Sequence, residues 1–267
     1  MKNLPMIYPG LVSVTFRSLS PQRLVAMAAG AKLEAIEWGG DIHVPPGDLA
    51  AARSARRLCD DTGLAISAYG SYYRAGDPQA GSFEPVLATA MELRAPSIRV
   101  WPGNTASAQA DAGAFAAIAD DIARICDLAA GNDVTIDLEY HSGTLTDSAA
   151  ASMKLLRAVA RSNLRIYWQP RHGDSAERGV SDLQLLLPYL GNLHIFHWWP
   201  DHHTRLPLAD GADRWAEYLK AAMADNHPRF ASLEFLREES EVQLQADAQT
   251  LRGLIQMSFQ GRGSAPL

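Results

Sequence analysis

Cysteine is nearly absent. The 267 residues hold two cysteines, Cys59 and Cys126, each inside an apolar helical spacing and neither near another sulfur or a histidine ligand. That excludes a disulfide framework and a zinc ribbon, and it predicts a protein of a reducing compartment. Basic excess is lacking as well: 24 Lys and Arg stand against 30 Asp and Glu, a net charge of −6, so nothing steers a polyanion to the surface and nucleic acid is excluded as an expected partner. No run approaches the roughly 18 apolar residues of a membrane span. Pro5 and Pro9 interrupt the stretch in which a secretion signal needs an apolar helix. The reading is a soluble, cytoplasmic chain. A phosphate cradle of the Gly-x-x-x-x-Gly-Lys kind is also missing, which favours an unphosphorylated substrate. No Pro/Ser linker or low-complexity tract divides the chain, so residues 1–260 are expected to form one domain and 261–267 a loose tail.

What the chain has instead is alternation. Short β-branched or aromatic runs fall at Leu11–Phe16, Leu33–Trp38, Leu64–Tyr69, Ser97–Trp101, Val134–Glu139, Leu164–Gln169, Leu193–His197 and Ala231–Phe235. Helical patterns lie between them at Pro21–Gly30, Asp48–Thr62, Phe83–Arg94, Ala114–Ala130, Asp147–Ala160, Asp182–Tyr189, Asp213–Asn226 and Glu239–Met257. Eight such units predict an α/β fold, a single (β/α)8 TIM barrel, with a doubly wound sheet as the competing topology. The period of two within the strands predicts a polar interior: Ile98 and Val100 turn out while Arg99 and Trp101 turn in, and Asp137, Glu139, Tyr167, Gln169 and Glu234 follow the same rule. Unpaired buried charge is expensive, so Arg99, Asp137 and Arg165 on successive strands are expected to pair in one layer below the site.

Barrel chemistry collects at the C-terminal strand ends. Those ends carry Glu139, Gln169, His197 and Glu234 on the last four strands. Two carboxylates, an amide oxygen and an imidazole suit a divalent ion such as Mn2+, Mg2+ or Co2+, with Zn2+ also compatible. His194 has the opposite parity to His197 and is expected to point to the helices as a core histidine. His141 shares the parity of Glu139 and is expected to reach the site. Glu37 and His43 after strand two, the aromatics Tyr69 and Trp101, and Arg205 after strand seven are further candidates for contacts at the mouth.

The stretches Ile36-Glu37-Trp38-Gly39-Gly40-Asp41-Ile42-His43-Val44, Leu138-Glu139-Tyr140-His141, Trp168-Gln169-Pro170-Arg171-His172, His194-Ile195-Phe196-His197 and Leu233-Glu234-Phe235 together resemble the sugar isomerase/epimerase superfamily of xylose isomerase-like barrels, ketose 3-epimerases included. The resemblance implies a divalent metal on Glu139, Gln169, His197 and Glu234, an acid/base pair in Glu139 and Glu234, and a substrate contact from His172. Gln169 departs from the family pattern, which has Asp there, and weaker metal affinity is the expected consequence. The implied function is isomerisation or epimerisation of a small-molecule carbohydrate or similar polyol through an enediolate. Two alternatives stay open: a lyase or hydrolase acting on a keto-glycoside by the same proton abstraction, and a non-catalytic sugar-binding subunit. Exposed loop aromatics such as Trp198, Trp199 and Tyr73 suit a homodimer interface or a pocket equally.

Overall fold

The computed structural model describes residues 6–260; the expected tail, 261–267, lies outside the described residues. Eight parallel strands close on themselves: β1 (Ile7–Val12), β2 (Ala35–Gly39), β3 (Ala65–Ala75), β4 (Ser97–Pro102), β5 (Thr135–Glu139), β6 (Leu164–Trp168), β7 (Leu190–Ile195) and, eighth in the ring, β10 (Arg229–Leu233). β10 pairs with β7 on one side and β1 on the other, completing the barrel. A short antiparallel pair, β8 (His197–Trp198) and β9 (Arg205–Leu206), occupies the loop after β7. The helices are α1 (Pro21–Gly30), α2 (Leu49–Thr62), α3 (Glu84–Leu93), α4 (Ala112–Ala130), α5 (Ala149–Val159), α6 (Ala176–Leu186), α7 (Ala212–Ala222) and α8 (Glu241–Gln260). Among the described residues no helix is long and apolar enough to cross a membrane.

Local chemistry explains most boundaries. Ser20, Asp48, Asp111, Ser148 and Ser175 each accept the backbone N–H three residues on, capping α1, α2, α4, α5 and α6; each such cap is worth about 1 kcal/mol. The predicted first strand is shifted. It runs Ile7–Val12, and Ser13–Phe16 forms a 3-10 turn instead. Pro9 and Gly10 make this segment read poorly as a strand, yet Gly10 is required there, because a Cβ would stand 2.7 Å from Ser232 Oγ and 3.2 Å from the Ala35 carbonyl oxygen. The sixth helix begins at Ala176 rather than Asp182, whose carboxylate sits mid-helix and accepts a 2.8 Å hydrogen bond from the Tyr140 hydroxyl.

The expected split between polar and apolar faces is present. Ile98, Val100, Ile136, Leu138, Ile166, Leu193, Ile195 and Leu233 are wholly buried in the hydrophobic core, while Arg99, Asp137, Tyr167, His194 and Ser232 are buried polar residues on the same strands. The single charge layer is not. Arg99 turns to Glu37 and Glu139, whereas Asp137 accepts from the Thr135 hydroxyl at 2.8 Å and, with Arg165, borders a separate cavity of about 410 Å³ among the strand starts. Two carboxylates, one of them the terminal residue of β5, outcompete Asp137 for the buried Arg99 guanidinium.

Burial pushes the Asp137 carboxyl up to about 6, with Thr135 and Arg165 opposing the shift. Because the folded value lies above the unfolded one of roughly 3.9, stability is lost as pH rises from about 4 through 6. Asp137→Asn removes that term. Its stability relative to wild type, from urea unfolding, is expected to improve by about 2 kcal/mol between pH 4.5 and 7.5, and a difference independent of pH would contradict this assignment.

Candidate active site

A cavity of about 540 Å³ opens at the C-terminal end of the barrel, with Arg99, Glu139, Gln169 and Glu234 among its lining residues and Trp101, Tyr72, Trp198 and Phe235 in its walls. Glu139 ends β5, Gln169 follows β6 and Glu234 follows β10. The sequence expectation that these three converge agrees with their placement around one point. The imidazole there is His194, not His197. His194 Nδ1 lies 3.3 Å from Glu234 Oε2, 3.3 Å from Gln169 Oε1 and 3.7 Å from Glu139 Oε1. Gln169 Nε2 donates to Glu139 Oε1 at 3.3 Å and to the Tyr140 carbonyl at 3.1 Å.

The exchange of histidines has a simple cause. Leu193 and Ile195 face the helices, so His194 between them faces the axis. Pairing in β7 stops at Ile195, and the chain then enters β8, where His197 pairs with Leu206 and its ring lies over Gly211, a position at which any Cβ would come within 2.4 Å of Nδ1. Applied to β7, the apolar-out rule that works on the other strands selects His194; extending the strand to His197 reversed the parity. Burial, followed by the Arg214 charge, lowers the basicity of His197.

Beneath the cluster, His194 Nε2 meets Glu37 Oε2 at 3.1 Å, Glu37 Oε1 accepts from Arg99 Nε at 2.7 Å, and Arg99 and the Trp101 indole N–H both donate to Glu139 Oε2. Glu37 is therefore not the substrate contact expected of it; it is wholly buried and does not border the cavity. His43 is also turned away: it is buried, with Nδ1 3.0 Å from Ser13 Oγ. Tyr69 is buried and donates to the Val44 carbonyl at 2.8 Å. Trp101, His141 and His172 do line the cavity. The Trp101 and His141 rings stack at 5.0 Å, and His172 stacks on Trp198 at 5.1 Å with planes 6° apart. Arg205 pairs with Glu239 at 2.7 Å and lies over the Trp198 and Phe235 rings, supporting the wall from outside the cavity lining. Sequence reasoning missed Tyr72 and Phe235. Both sit in the left-handed region, at φ 59° and 45°, and both line the cavity; such strain at a cavity wall is a signature of function that no propensity scale reveals.

The electrostatics separate the carboxyls. Burial opposes the charge on Glu139, but Arg99 and then His194 outweigh it and hold the group below the usual range. Burial raises Glu234, and the neighbouring Glu139 charge adds to the rise while His194 resists it. Glu37, despite complete burial, is held well below normal by Arg99 and His194. Burial works against the His194 imidazolium, yet Glu234 and Glu37 raise its basicity.

This donor set fits a divalent cation. Bonds of about 2.0–2.2 Å place neighbouring ligand atoms roughly 3–4.5 Å apart, and atoms from Glu139, His194 and Glu234 all lie within 4.8 Å of one another. The far nitrogen of His194 on a carboxylate is the usual outer partner of a metal-bound histidine.

A family model described as a xylose isomerase-like TIM barrel matches residues 25–254. A curated 3-dehydroshikimate dehydratase of Bacillus anthracis is 26% identical over 172 residues, 58% of this chain and 61% of the relative, so the match spans less than two thirds of that protein's length. Among solved structures, the fold is shared with the probable 3-dehydroshikimate dehydratase of petrobactin synthesis from Bacillus anthracis (TM-score 0.76, 22% identity, 92% of this chain and 99% of that one). It is also shared with an L-ribulose 3-epimerase (0.75, 15%, 97% and 99%) and with a D-psicose 3-epimerase (0.69, 15%, 92% and 97%). A closed eight-stranded barrel matched along most of its length places the chain in the xylose isomerase-like TIM barrel family.

Proposed function

We propose that the protein is a divalent-metal-dependent isomerase or epimerase of a sugar-like polyol, moving a proton on a carbon next to a carbonyl. One observation carries this reading: two buried carboxyls, Glu139 and Glu234, flank one imidazole, with an oxygen of each 3.7 Å and 3.3 Å from His194 Nδ1. Two carboxyls set about one point on different strands can serve one as base and the other as acid. Glu139, kept ionised by Arg99, is the base that takes the proton. Glu234, on the other side of His194, is the group that gives one back. In the order of the ring His194 stands between them, so the two carboxyls reach a bound carbon from different sides. The residues that would hold the ion are Glu139, Gln169, His194 and Glu234. When bound, the ion supplies stabilisation of the negative charge that develops on substrate oxygen. The aromatic walls exclude water from the carbon being deprotonated and offer faces to its CH groups.

A second reading is dehydration of a cyclic keto acid. It begins with the same abstraction by Glu139 and ends with Glu234 protonating the departing hydroxyl. The dehydratase relative favours it, as does Arg171, a half-exposed guanidinium in the cavity lining whose nearest carboxylate, Asp174, is 3.9 Å away; a substrate carboxylate would match it.

Incubation with Mn2+, D2O and a panel of ketoses, aldoses and 3-dehydroshikimate, read by NMR, distinguishes the readings: deuterium at a retained sugar carbon marks isomerisation or epimerisation, and formation of an aromatic product marks dehydration. Glu139→Gln and Glu234→Gln are each expected to lower the rate on the accepted substrate by about 100-fold or more; unchanged rates in both variants would overturn the assignment. Adding Mn2+ at about 100 times its dissociation constant to chelator-treated protein is expected to raise Tm by about 5 °C or more. An unchanged Tm would count against metal dependence.

A further inference from the structure

Glu37 reaches no substrate, and a buried ion pair is by itself weak evidence of a stabilising role; its contacts nevertheless end on the site. We infer that Glu37 and Arg99 are one positioning unit that joins two of the proposed ligands, His194 and Glu139, and presets both for a divalent cation. The inference rests on the metal-dependent reading above. Its contacts close a ring across four strands. His194 Nε2 meets Glu37 Oε2 at 3.1 Å, and Glu37 Oε1 meets Arg99 Nε at 2.7 Å. The other end of the guanidinium holds Glu139 Oε2, and Glu139 Oε1 returns to within 3.7 Å of His194 Nδ1. Each ligand thus commits one polar atom to the unit and turns the other to the shared point.

A carboxylate on Nε2 fixes the orientation of an imidazole and leaves the Nδ1 lone pair free to bind an ion. The planar fork of Arg99 does the same for Glu139, which lysine cannot reproduce because it presents a point charge. The backbone makes room for the arrangement: at Gly70 a Cβ would stand 2.7 Å from both Arg99 Nη2 and Glu37 Oε1.

Calorimetric titration of Co2+ into metal-stripped wild type, Glu37→Gln, Arg99→Lys and the double variant tests this. Each single variant is expected to bind Co2+ about 10- to 100-fold more weakly and to shift the visible absorption of the bound ion. The double variant is expected to be no worse than the poorer single one. Equal affinities and spectra, or losses that multiply in the double variant, overturn the inference and leave the metal reading standing; failure of wild type to bind Co2+ overturns both. Should a variant fail to fold by circular dichroism, nitrogen-15 NMR of Zn2+-loaded wild type gives an independent answer. The proton of His194 is expected on Nε2 with Nδ1 shifted by the ion, and an Nε2-bound ion would overturn the inference.

Discussion

The interior of this barrel is organised around the cost of burying charge. Glu37, Arg99, Glu139, His194 and Glu234 are all nearly inaccessible, and an uncompensated ion at such depth costs several kcal/mol. Three carboxyls against one guanidinium and one imidazole leave a negative excess that can be relieved by protonating Glu234 or by admitting a cation. Both responses match the site. Glu234 is the carboxyl whose pKa is raised, and the atoms nearest it have the spacing of a ligand set. Relief of buried charge and readiness for proton transfer are then the same property of the cluster.

The barrel was legible because its signal is periodic. Short strands alternating with helices, most of them apolar-out and polar-in, leave few other ways to bury Ile98, Ile136, Ile166 and Leu233 on one side while Arg99, Asp137 and Tyr167 share the other. Glu139, Gln169 and Glu234 were legible for the same reason: each sits at a strand end whose parity is fixed by its apolar neighbours. Where pleating stops, the legibility stops. His197 follows the end of β7 and belongs to the small β8–β9 pair, so alternation no longer says where it points, while His194, still within the strand, obeys it.

Other errors came from depth rather than direction. Glu37 does face the axis, as its parity implies, but it sits one layer beneath the cavity, and a sequence does not reveal which inward residue is covered by another. Arg99 was expected to pair with its ladder neighbour Asp137, to which it is opposite in register. A long side chain on a pleated strand can instead reach the layer above, and Glu37 with Glu139 drew it there. Tyr69 and His43 are aromatic groups near the mouth in sequence that turn to local partners, the Tyr69 hydroxyl to the Val44 carbonyl and His43 Nδ1 to Ser13. The cavity walls were supplied by Tyr72 and Phe235, held in unusual backbone conformations that periodicity does not encode.

The central claim is that Glu139, Gln169, His194 and Glu234 form one cation site with His197 outside it. Anomalous diffraction from crystals equilibrated with Mn2+ tests it most directly. The account predicts a single peak in the barrel mouth bonded to His194 Nδ1 and to oxygens of Glu139, Gln169 and Glu234. A peak on His197, or none in the barrel mouth at saturating Mn2+, would contradict it.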